Sequence, residues 1–246
     1  MLKTKNMLNN FLFIGLPYIS ITIMLVGSIV RYRSRGYQVS SLSSQFLESR
    51  RLFFGTNPFH IGIIFLFFGH LVAFLFPSSV IAFNRVPLRL FIIEVSAFTF
   101  GLLTLFGAIV LLIRRLSNKS LLIVTSKVDI LVYVAIFSQV ISGLLVAYYV
   151  RWGSTWFATS LTPYLESLFT FRPNIKVISE MPFLVQYHVV SAFVLVALIP
   201  FSRLMHILVF PFRYIIRGYQ YFIWNRDRKK LRNSDETFPD IKATNN

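Results

Sequence analysis

Five long apolar runs decide what this chain can fold into. Crossing ~30 Å of hydrocarbon takes ~20 residues of α-helix, and runs of that order lie at about 9–30, 58–76, 88–113, 128–150 and 182–210. Asn57-Pro58 suits a helix cap followed by proline at the first helical position, so the second span is expected to open there. Pro77 is expected to close that span and Pro182 to open the fifth. The first run is too long for the core of a signal peptide and has no small-residue cleavage site, so it counts as a helix. The fold expected is an all-α integral membrane protein. One five-helix domain fills residues 1–226, and a basic, partly disordered tail follows at 227–246.

Charge then sets the orientation. Only 14% of the residues are charged, yet 25 Lys+Arg face 9 Asp+Glu. A soluble nucleic-acid binder of this charge would be polar overall, and 27 Phe with 11 Tyr exclude a disordered chain. Of the 25 basic residues, 18 fall in loop 31–51, in loop 114–127 and from Arg203 onward. Basic loops stay in the cytoplasm, so five spans put the N-terminus outside and the C-terminus inside. The 151–181 connection is then external. Its Thr162-Pro163, with Tyr164, Leu165, Leu168 and Phe169 at helical spacing, reads as a short amphipathic helix on the outer surface, either covering helix ends or forming a lid over a site.

The chain has no cysteine, which removes disulfides, thiolate metal sites and iron–sulfur ligation. Its four histidines, His60, His70, His188 and His206, all lie in spans 2 and 5. Ionisable residues are costly in a membrane interior and mark functional sites there. For a single histidine an interhelical hydrogen bond is an adequate explanation. Two pairs on two antiparallel helices instead suit bis-imidazole ligation of haem, which leaves no open iron position and makes an electron carrier. The antiparallel topology pairs His60 with His206 and His70 with His188. At ~1.5 Å per residue the ligands lie ~15 Å apart on span 2 and ~27 Å apart on span 5. That mismatch of ~12 Å calls for tilt and for a kink at Pro200. On a continuous helix His188 and His206 share a face, whereas His60 and His70 differ by ~80°. Gly62, Gly69 and Gly143 either make room for a flat macrocycle or are small residues at helix contacts. A di-iron carboxylate site would need Glu-x-x-His, which is absent from the sequence.

Asn57-Pro-Phe-His-Ile-Gly-Ile, Phe68-Gly-His70, Tyr187-His188 and Pro200-Phe-Ser-Arg-Leu-Met-His206 resemble the gamma subunit of membrane-bound respiratory nitrate reductase. So do Val26-Gly-Ser28, Arg31-Tyr32, Ser43-Ser-Gln45 and Asp129-Ile-Leu131, over residues of about 7–226. The resemblance implies a dihaem cytochrome b in a bacterial or archaeal-type cell membrane. It would oxidise quinol (menaquinol or ubiquinol) near the outer face. Electrons would pass to a cytoplasmic iron–sulfur beta subunit and a molybdenum catalytic alpha subunit. By motif, His60 and His206 would hold the proximal haem, and His70 and His188 the distal one. Gly69, His70 and Arg89 would form the quinol site. Arg89 is otherwise an interfacial side chain reaching for water. Arg203, one turn from His206, either meets a haem propionate or anchors its helix, and Glu94 is either a proton acceptor or a satisfied interfacial carboxylate. The aromatic, basic tail from Phe212 docks the iron–sulfur subunit or anionic lipid headgroups. Two alternatives stand beside this reading. One is a related cytochrome b serving nitrite oxidation, or a sulfur or heterodisulfide reductase. The other is a His-relay proton transporter, for which the spans offer only Glu94 and Asp129 as carboxylates.

Overall fold

The computed structural model describes residues 7–35 and 50–208. Ser43-Ser-Gln45 and everything from 209 on, the basic tail included, lie outside the described residues. Among the described residues, five helical stretches are long and apolar enough to cross a membrane, the fifth running on past its α-helix to Phe201. They are α1 (Leu16–Arg35), α2 (Arg50–Leu75), α3 (Pro87–Ser117), α4 (Lys127–Tyr149) and α5 (Phe183–Leu198). A π-helical turn, Phe11–Gly15, leads into α1. Among the described residues there is no strand.

The helices pack as a row, α2 on α3, α3 on α4, α4 on α5 and α5 on α1. Glycines set the closest approach, between α2 and α3. A Cβ on Gly62 would lie 2.6 Å from the Phe100 carbonyl oxygen, and one on Gly107 2.7 Å from that of Gly55. Backbones this close gain dispersion contacts, the main glue between helices in lipid. They also explain why α2 opens early. The cap expected at Asn57 is not there, because the helix begins at Arg50 and carries Pro58 inside it. Proline there removes one backbone bond and crowds the carbonyl four residues back. Packing of Gly55 against Leu111, 2.8 Å from the site of a Cβ, holds the preceding turn helical regardless. Local cap signals lose to tertiary contact here.

Span 5 departs further from expectation. The α-helix stops at Leu198, and 3-10 turns follow at Ile199–Phe201 and Arg203–Leu208. Between them Ser202 is extended, with φ −122° and ψ 179°. Pro200 therefore marks a break rather than a kink in one helix. A break strands carbonyls that no helical N–H can reach. Arg31 of α1 supplies the donor, its Nη1 giving hydrogen bonds of 2.7 Å to the Pro200 and Ser202 carbonyls. Gly27 makes the space, since a Cβ there would stand 2.9 Å from the proline ring. The shared face expected for His188 and His206 does not follow on a broken helix, nor does the ~27 Å straight rise between them.

The connection between α4 and α5 folds back on the bundle. Its Thr162–Phe169 helix forms as expected, but Tyr164 and Leu168 are buried with Phe13, Val146, Val185 and Val189. The Tyr164 hydroxyl donates to the Phe13 carbonyl (2.8 Å), and the Tyr18 hydroxyl to that of Leu168 (2.9 Å). Burial, with the Tyr18 phenol nearby, holds the Tyr164 phenol well above its ordinary pKa. This helix covers the ends of α1 and α5, with one face buried on the bundle.

Candidate functional site

In this row α2 packs chiefly on α3, and α5 on α4 and α1. Side chains bring the two histidine-bearing helices together. At one end the His60 and His206 rings stand 6.1 Å apart, centroid to centroid. The break after Leu198 delivers this contact by redirecting the chain before His206. At the other end His70 and His188 lie within electrostatic reach of one another. The Phe157 ring, on the π-helical turn Phe157–Leu161, meets the His70 ring edge-on at 5.4 Å.

Hydrogen bonds decide what these imidazoles can do. A carbonyl cannot donate, so each ring nitrogen on a carbonyl carries the proton. His60 Nδ1 donates to Thr56 (2.8 Å), His70 Nδ1 to Leu66 (2.7 Å) and His206 Nδ1 to Arg203 (2.6 Å). In all three the lone pair is left on Nε2. His188 reaches the same tautomer through side chains of α4. Its Nδ1 donates to Ser142 Oγ (2.9 Å), and its Nε2 accepts from Gln139 Nε2 (3.2 Å). Ser191 holds that amide by donating to Gln139 Oε1 (2.6 Å). Imidazoles protonated at Nδ1 with a basic Nε2 are the donors that haem iron takes, the Nδ1 bond orienting the ring; His60, His70 and His206 are disposed in this way, and His188 would exchange the Gln139 amide on its Nε2 for iron. The residues present fit two bis-histidine haems.

The three glycines noted in the sequence divide by role. Gly62 is a helix contact. Gly143 makes room for the His188 ring, since a Cβ there would lie 2.9 Å from His188 Cε1. Gly69 faces open space, with nothing within 4 Å of a Cβ.

Other predicted residues fall as follows. Arg89, in the first turn of α3, is exposed and lies over the Phe83 ring at 5.4 Å. Among the described residues no hydrogen bond or ring contact joins it to His70. Arg203 donates from Nε to Asp129 Oδ1 (3.1 Å) and from Nη2 to the Val124 carbonyl (3.3 Å). Glu94 is a satisfied carboxylate. It accepts from the backbone N–H groups of Gly153 (3.1 Å) and Ser154 (2.9 Å) and from the Ser154 hydroxyl (2.7 Å). Asp129 accepts from the Ser126 N–H in a reciprocal cap. Glu94 thus ties α3 to the segment after α4, and Asp129 serves its own cap and Arg203; among the described residues no hydrogen bond joins either carboxylate to a histidine.

Sequence reasoning missed Gln139, Ser142 and Ser191 around His188 and Phe157 beside His70. Gln139 and Ser142, three apart on one face of α4, carried a signal, since polar side chains inside spans seek partners on neighbouring helices.

Comparison with known proteins agrees with the resemblance. A family profile described as nitrate reductase gamma subunit matches residues 9–225. The respiratory nitrate reductase 2 gamma chain of Escherichia coli (strain K12) is 32% identical over 87% of this chain and 96% of its own length. The respiratory nitrate reductase 1 gamma chain of the same strain is 31% identical over the same shares of each chain. The nitrate reductase gamma chain of Bacillus subtilis (strain 168) is 28% identical over 83% of this chain and 93% of its own. With five apolar helices and a profile match along nearly its whole length, this multi-pass membrane protein belongs to the nitrate reductase gamma subunit family.

Proposed function

We propose that this chain is the dihaem cytochrome b subunit of a respiratory nitrate reductase, oxidising quinol near the outer face and delivering electrons to cytoplasmic beta and alpha subunits. The observation that carries the reading is the set of four Nδ1-protonated imidazoles on two helices. His60 and His206 would hold the proximal haem, and His70 and His188 the distal one. When bound, the two b haems supply one-electron carriers through the low-dielectric interior.

The chain's own residues do the rest. Thr56, Leu66, Arg203 and Ser142 orient the four rings. Gly69 leaves space beside His70 for a flat quinol ring. Arg89, as a guanidinium, would donate to a quinone carbonyl or stabilise a developing quinolate. Arg203 is the cation nearest His206 in the chain and the candidate partner for a propionate. With the N-terminus outside, as the 18 cytoplasmic basic residues favour, protons leave quinol on the outer side while electrons move inward. Moving one charge across the membrane is worth ~2.3 kcal/mol per 100 mV. The beta subunit, with its iron–sulfur centres, and the molybdenum alpha subunit would dock on the basic face. The commitment of Glu94 to Gly153 and Ser154, and of Asp129 to its cap and Arg203, speaks against a proton relay.

Membranes containing the complete complex test this. An added quinol should reduce the b haems, and nitrate should reoxidise them. Gly69→Ala fits the open space and keeps His70, so haem content should stay at two per chain while the quinol-driven reduction rate falls about tenfold, equivalent to ~1.4 kcal/mol. An unchanged rate in both Gly69→Ala and Arg89→Ala would remove the quinol site from this end.

A further inference from the structure

His206 is the ligand whose orientation its helix cannot dictate. His60, His70 and His188 sit within α-helices, and the helix fixes where each ring starts. His206 lies beyond the extended Ser202, on a 3-10 turn that α5 does not propagate into. Something else must hold that turn. The break's own carbonyls go to Arg31. On its far side, Arg203 is tied to Asp129.

Asp129 is placed for this by three contacts. It is the third residue of α4 and completes a reciprocal cap. Its N–H donates to Ser126 Oγ (3.1 Å), and its Oδ2 accepts the Ser126 N–H (3.0 Å). Arg115, at the end of α3, approaches the same oxygen at 3.8 Å. Those contacts fix the carboxylate, which is only 9% exposed. The second oxygen then accepts from Arg203 Nε at 3.1 Å. A cap needs no such partner. The carbonyl of that same Arg203 accepts the Nδ1 proton of His206 at 2.6 Å. Asp129 therefore acts one residue removed, fixing the arginine whose main chain orients the imidazole.

We propose that Asp129 is a positioning residue for His206, holding through Arg203 the segment beyond the break and hence the plane of the fourth imidazole. This rests on the haem reading of the His60–His206 pair. Its test is electron paramagnetic resonance of the two low-spin haem signals, whose largest g value follows the angle between axial imidazole planes, in membranes carrying the full complex. Asp129→Asn and Arg203→Leu should each shift the proximal signal and leave the distal one in place. Because both cut the same strut, the double variant should shift it no further than the larger single shift. Ser126→Ala weakens the cap alone, so it should lower thermal stability without moving the signal.

A proximal signal unmoved in Asp129→Asn would overturn the proposal. So would two haem signals moving together, or a Ser126→Ala shift as large as that of Asp129→Asn. Should Asp129→Asn fail to accumulate, Arg203→Leu leaves the cap intact and decides alone, an unmoved proximal signal again being fatal. Failure of the underlying reading looks different: the unsubstituted complex would then lack two bis-histidine signals.

Discussion

Alanine at His60 or at His206 is expected to abolish the same haem, and alanine at His70 or at His188 the other. The reason is geometric. The His60 and His206 rings meet at one end of the bundle, and His70 with His188 lies at the other. A haem held by both imidazoles of a pair would lose one of its two protein ligands in either variant and be held weakly. Alanine keeps each helix, since it is the best helix former, so the far haem should stay. Each single variant should retain about one haem per chain, and the His60→Ala/His206→Ala double should lose no more than either single. Reduced-minus-oxidised spectra of the four variants check this. If His60→Ala and His188→Ala removed the same haem, the pairing would be wrong.

Gly107→Ala is expected to have the other large effect, on both haems at once. The new Cβ would meet the Gly55 carbonyl oxygen at 2.7 Å and Phe59 Cα at 2.8 Å. Backbone atoms cannot rotate away as a side chain can, so α2 must move off α3. Overpacking typically costs 1–3 kcal/mol, and a clash with main chain belongs at about 3 kcal/mol. Because the proposed reading puts one ligand of each haem on α2, its displacement should lower occupancy of both. Gly101→Ala is the matched control. Its Cβ meets the Leu144 side chain at 2.8 Å, which can change rotamer, so little stability should be lost. Thermal unfolding in detergent, followed by haem absorbance, separates the two. Equal midpoints would show that the α2–α3 approach does not matter.

The features legible in the sequence are those that depend on length and on rare residues. A span needs ~20 apolar residues whatever its neighbours do, so all five helices were visible before any packing was known. The histidine pairing followed from antiparallel spans, and the structure does bring His60 to His206. Features set by contacts between distant segments were not legible. Asn57-Pro58 carries every local mark of a helix start, yet α2 begins seven residues earlier because Gly55 packs on Leu111. Pro200 announced a disturbance, but its scale depends on Arg31, 169 residues away, satisfying the carbonyls it releases. Arg31 in the sequence looked like one more basic residue at a cytoplasmic edge. Asp129 looked like a charge inside a span, and only the fold shows its two oxygens divided between a cap and Arg203. The four histidines and their pairing were legible, and the groups that hold their rings were not.

Haem stoichiometry of the unsubstituted chain, purified in detergent with its partner subunits, tests the central claim most directly. The account predicts two b-type haems per chain, both low-spin and both reducible by dithionite. Absence of haem, or a single haem per chain, would contradict it.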